Sequence, residues 1–119
     1  MNPHNGDYME KGFIEKTINQ TIKEFEVKYD WHIECNLEKQ GATSVTDAIN
    51  SGLCDLFAEA MKRKIPQATI LYDEDVDHEF LKIGNRFYDA ENPKGSDSVG
   101  CMVINGKVHK TRCFKDLSI

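Results

Sequence analysis

The sequence predicts an α+β fold, with helices in the first half and a mostly antiparallel sheet in the second. Three observations predict it. Apolar residues recur at helical spacing from Tyr8 to Val27 and again ahead of Lys64. Short alternating runs begin at Ala68, and two-residue hairpin signals stand at Gly84-Asn85 and Asn105-Gly106. No internal repeat, low-complexity run or Pro/Gly-rich linker divides the 119 residues, so they read as one domain, 1–119.

In the first helix Ile14, Ile18, Ile22 and Phe25 form the inner stripe, while Glu15, Lys16, Lys23 and Glu24 fill the wet face. Trp31, Ile33 and Cys35 then alternate with His32 and Glu34, which predicts a short strand. Gln40-Gly41-Ala42-Thr43 reads as a loop. A second helix runs to about Lys64 on a stripe of Leu53, Leu56, Phe57, Ala60 and Met61, and Pro66 ends it. Two starts compete for it. Ser44 with Asp47 resembles a capping box. Asn50 or Ser51 equally caps a fresh helix, because Gly52 weakens any helix that runs through it.

Strands are expected at Ala68 to Tyr72, His78 to Ile83 and Arg86 to Ala90, with the acidic run Asp73-Glu74-Asp75-Val76-Asp77 as a loop. Gly84 in first place suits a type II′ turn between the last two. Val103-Ile104 and Lys107-Val108 flank the Asn105-Gly106 turn.

Charge narrows the function classes. Fifteen Lys and Arg against 20 Asp and Glu leave a net charge of −5, unsuited to neutralising phosphates, so nucleic acid is not expected as a partner. No run approaches the ~20 apolar residues that span a bilayer, so no membrane is expected either. The polar start, Met1 to Asp7, lacks the apolar centre of a secretory signal, and the expected compartment is the cytoplasm. Cys35, Cys54, Cys101 and Cys113 are accordingly expected as free thiols.

Chemistry concentrates at three residues. A helix that starts at Ser51 places Cys54 in its first turn, where the helix dipole and free N–H groups favour thiolate. Against this, Cys54 falls near Phe57 and Met61 on a helical wheel and reads equally as a small core residue. With Gly84-Asn85 as the turn, Ile83 pairs with Arg86, Phe80 with Asp89 and His78 with Glu91. His78, Phe80 and Asp89 then share a face, with His78 and Asp89 diagonal neighbours at roughly 7–8 Å between backbones. A carboxylate at that distance can fix a histidine tautomer and stabilise the imidazolium. Cys54, His78 and Asp89 thus supply a nucleophile, a base and an orienter.

Gly52-Leu53-Cys54-Asp55-Leu56-Phe57-Ala58, His78-Glu79-Phe80 and Gly84-Asn85-Arg86-Phe87-Tyr88-Asp89 together resemble the transglutaminase-like branch of the papain-fold thiol enzymes. The resemblance covers roughly residues 50 to 95. It implies a central helix packed on an antiparallel sheet, with Cys54 as nucleophile, His78 as base and Asp89 as its orienter. It further implies a thiol-dependent amide hydrolase or acyl transferase that acts on a protein or peptide through a thioacyl intermediate, with no cofactor. Two positions depart from the pattern. Papain relatives carry Gln six residues before the cysteine, where this chain has Ala48, and the tryptophan usual after the histidine is Phe80. Asn50 and Gln40 are the alternative oxyanion donors. The other function class is a catalytically idle domain of the same fold that binds or inhibits a protein partner.

Metal sites are not expected. The acidic run at Asp73 to Asp77 lacks the glycine and distal glutamate of an EF-hand loop, and reads as solvated. A zinc set of His32, Cys35, Cys101 and Cys113 has no local spacing to support it. Lys107, His109, Lys110, Arg112 and Lys115 read as a wet strand face or a contact for an acidic partner.

Overall fold

The computed structural model describes residues 11–104, 106–108 and 114–116. Among these, four α-helices precede an antiparallel sheet: α1 (Lys11–Lys28), α2 (Asp30–Lys39), α3 (Val45–Asn50) and α4 (Cys54–Lys64). The strands are β1 (Thr69–Asp73), β2 (His78–Ile83), β3 (Arg86–Asp89), β4 (Asn92–Ser96) and β7 (Phe114–Asp116), in the order β4-β3-β2-β1-β7. Every neighbouring pair is antiparallel. A separate two-stranded ribbon joins β5 (Val103–Ile104) to β6 (Lys107–Val108). The fold is α+β.

The inner stripe of α1 is as expected, with Ile14, Ile18, Ile22 and Phe25 all buried. Thr17 and Thr21 are buried beside them because each hydroxyl donates to the carbonyl four residues back, at 2.8 Å. On α4 the buried face is Leu53, Phe57, Ala58 and Met61, whereas Leu56, expected in the stripe, is 36% exposed. Helix α1 packs on β4 and α4, and α4 packs on β2. Ile70, Leu81, Ile83 and Tyr88 meet these helices, while Leu71, Phe80 and Phe87 face the other way, onto Val99 and Met102.

The strand expected at Trp31 to Cys35 is instead part of α2. Asp30 accepts the Trp31 N–H at 2.7 Å in the first turn, and the buried residues are Ile33 and Asn36, a helical interval. Trp31 is 78% exposed, so the apparent alternation had no sheet to face.

The competing starts of the second helix resolve as two helices. Ser44 Oγ accepts the Asp47 N–H at 3.1 Å and caps α3. The chain then breaks at Gly52, whose φ of +131° suits only glycine, and α4 begins at Cys54. Neither Asn50 nor Ser51 caps α4. Its N-cap is Leu53, which offers the first turn no side-chain acceptor.

The turn at Gly84-Asn85 joins Ile83 to Arg86, with Lys82 opposite Phe87 and Leu81 opposite Tyr88. Gly84 has φ +62° and Asn85 a negative φ, as a type II′ turn requires. Pro93 sits in β4, at the sheet edge, where its missing N–H costs no ladder bond. The ribbon β5–β6 pairs around residues 105–106 as expected, with Asn105 itself outside the described residues. Tyr8, Cys113 and residues 109–112 of the basic stretch also lie outside them.

Candidate active site

His78 opens β2 and Asp89 closes β3, so the hairpin sets both at one end of the sheet. Their side chains are 2% and 3% exposed, and His78 Nε2 meets Asp89 Oδ2 at 2.7 Å. The second carboxylate oxygen of Asp89 is also held. It accepts the Glu91 N–H at 3.0 Å and Asn92 Nδ2 at 2.6 Å. Cys54 lies near enough for its sulfur to help hold the charged imidazole. With Nε2 engaged on Asp89, Nδ1 is the ring atom left for the sulfur. His78 also stacks on Phe80, with 6.1 Å between ring centroids and 8° between planes.

Burial by itself disfavours the charged imidazole. The hydrogen bonds and negative charges of Asp89 and Cys54 outweigh it and push the His78 pKa up to about 10. At neutral pH the imidazolium is therefore the dominant form, between a carboxylate and a sulfur.

Cys54 is half-buried at the first position of α4 and lines a cleft of about 510 Å³. The opening N–H groups of a helix have no intrahelical partner, and Leu53 supplies no side-chain cap for them.

The two sequence-derived oxyanion donors fare differently. Asn50 lines the same cleft, is 6% exposed, and donates Nδ2 to Glu91 Oε1 at 2.7 Å; its Oδ1 has no hydrogen-bond partner. Gln40 is exposed at the end of α2, where its N–H bonds Asn36 O, and it does not line the cleft. The acidic run contributes Asp77 to the cleft, and Asp77 Oδ1 accepts the Tyr72 hydroxyl at 2.7 Å. That hydrogen bond, with neighbouring carboxylates and the Cys54 sulfur adding negative charge, pushes the Tyr72 pKa up to about 12. Among the described residues, no three of His, Cys, Asp and Glu group as a metal site, and Cys35, Cys54 and Cys101 are free thiols.

Sequence reasoning missed Asn92 and Glu91. Asn92 ties Asp89 to the β5–β6 ribbon, accepting the Val103 N–H at 2.9 Å and donating to Val103 O at 2.7 Å. Glu91 joins Asn50 to the Gly106 N–H at 2.7 Å. A two-residue turn after Asp89 sets Asn92 opposite it, a register visible only once Asn-Pro-Lys-Gly-Ser is recognised as a strand. No helix among the described residues is long and apolar enough to cross a membrane. The chain matches no protein-family model, no curated protein and no solved structure.

Proposed function

We propose that the chain is a thiol-dependent amide hydrolase or acyl transferase of papain-like, transglutaminase-like type, acting on a protein or peptide. The observation that carries this reading is buried His78, bonded to buried Asp89 at 2.7 Å, with the sulfur of the cleft-lining Cys54 near enough to help hold its charge.

Cys54 acts as nucleophile, with His78 holding its proton. The thiolate attacks the carbonyl carbon of a bound amide, and the oxyanion that forms meets the N–H groups at the start of α4. The C–N bond then breaks, the imidazolium proton passes to the leaving nitrogen, and a thioester remains on Cys54. Water or a second amine attacks that thioester. His78 takes the attacker's proton as the C–S bond breaks, and the leaving sulfur is again a thiolate beside an imidazolium. Asp89 keeps the ring oriented throughout. The idle-domain reading draws on one observation, that the Asn50 amide donor is spent on Glu91.

A generic acyl donor separates the two. Incubated with p-nitrophenyl acetate, the protein is expected to release nitrophenolate and to carry one acetyl group on Cys54, located by peptide mass mapping. His78→Ala should abolish both. Acetylation spread evenly over Cys35, Cys54, Cys101 and Cys113, or an unchanged rate in His78→Ala, overturns the enzyme reading in favour of the binding module.

A further inference from the structure

The cleft beside Cys54 is strongly acidic. Of its nine lining residues, three are carboxylates, Asp55, Asp77 and Glu79, and none is lysine or arginine. Among the described residues these three form no ion pair with a cation. Glu79 feels the crowding: its pKa is raised first by partial burial, then by the negative charges of Asp55 and Glu59. A second, independent feature points the same way. Asn50 lines the cleft, is 6% exposed, and leaves Oδ1 as an acceptor with no donor. The Tyr72 hydroxyl, also in the cleft lining, spends its proton on Asp77, so its oxygen is left as an acceptor. The wall beside the sulfur thus offers negative charge and acceptors, and a ligand that matches it brings positive charge and donors.

We infer that the cleft selects peptides carrying a lysine or arginine side chain next to the attacked amide, the cation lying among Asp55, Asp77 and Glu79 with one N–H on Asn50 Oδ1. This rests on the thiol-enzyme reading for its reaction but not for its binding. An anionic side chain in the same place is repelled, and a neutral one brings no charge to the carboxylates and no donor to Asn50 Oδ1.

Two measurements test it. In the first, wild-type protein is labelled with three peptidyl vinyl sulfones that differ only in the residue next to the reactive group: lysine, norleucine or glutamate. The Cys54 thiolate adds to the vinyl carbon and the adjacent carbon takes a proton, so the rate is read by mass spectrometry. The lysine probe is expected to label Cys54 about tenfold faster than norleucine, equivalent to ~1.4 kcal/mol, with glutamate slowest. The lysine advantage should shrink towards one in Asp77→Asn and Glu79→Gln, and in high salt. Equal rates, or a faster glutamate probe, overturn the inference.

In the second, Cys54→Ala protein is titrated with N-acetyl-lysine methylamide and its norleucine and glutamate counterparts, read by NMR shifts of the cleft amides. A lysine preference here without any labelling in the first experiment supports the cation subsite and removes the nucleophile. Absence of a lysine preference here overturns the subsite whatever the labelling shows.

Discussion

His78 and Asp89 form an ion pair that water scarcely reaches, and its worth depends on both partners keeping their charge. The native ring holds its proton up to about pH 10, against 6.5 for an ordinary histidine. The native state therefore binds a proton that the unfolded chain releases, and its stabilisation is full below about pH 6.5 and lost as pH rises through about 10. The wild-type urea midpoint is expected to fall across that window relative to His78→Gln. Parallel profiles for the two proteins would refute the linkage. Asp89→Asn keeps the shape but strands an imidazolium, and should cost about 3 kcal/mol in chemical unfolding. It should also slow iodoacetamide alkylation of Cys54 at neutral pH, measured by peptide mapping. Cys54, His78 and Asp89 were legible because turn chemistry fixes a two-residue parity and a glycine marks the helix start. Asn50 was legible as a residue of the site, but the direction of its amide was not, since Glu91 decides that from 41 residues away.

At the scale of elements, the break at Gly52 sets where α4 begins and hence where the sulfur lies. A Cβ at Gly52 would sit 3.0 Å from His32 Nε2, on a backbone with φ +131°. Gly52→Ala is expected to cost about 2 kcal/mol from strain and contact together. Adding His32→Ala should recover the contact part alone, as a double-mutant cycle on urea midpoints will read. Asn92 plays the corresponding part on the sheet side. Asn92→Ala removes its bonds to Asp89 and to both polar groups of Val103. Hydrogen exchange at the Val103 amide should then accelerate strongly, and unchanged protection there would show that the ribbon is held by something else. Sequence patterning read α1 well because it has one wet and one dry face, and it read β2 and β3 well because the Gly84-Asn85 turn marks where one ends and the other begins. It misread α2, where five alternating residues fit either period, and it passed over β4, whose Asn, Pro and Gly carry the signature of a loop. Both fail for one reason: their place is set by tertiary partners rather than local pattern.

Across the whole molecule, the site is gathered from distant stretches of chain onto one end of the sheet. Asn50 comes from the end of α3, Cys54 from the start of α4, Asp77 from the β1–β2 loop and Asn92 from the edge strand. The bonds that close it span 11 residues between His78 and Asp89, 15 between Glu91 and Gly106 and 41 between Asn50 and Glu91. Contacts of that span are late and slow to form, because loop-closure entropy is lost before they return anything. In a chain emerging from synthesis or denaturant, Cys54 therefore stands beside neither His78 nor Asp89, and the thiol-enzyme proposal gives it its reactivity only when helices and hairpins have docked. Brief alkylation pulses during refolding should find Cys54 no faster than Cys35 at early times. Its advantage should appear with the slowest folding phase, so that thiol chemistry itself clocks the completion of the fold.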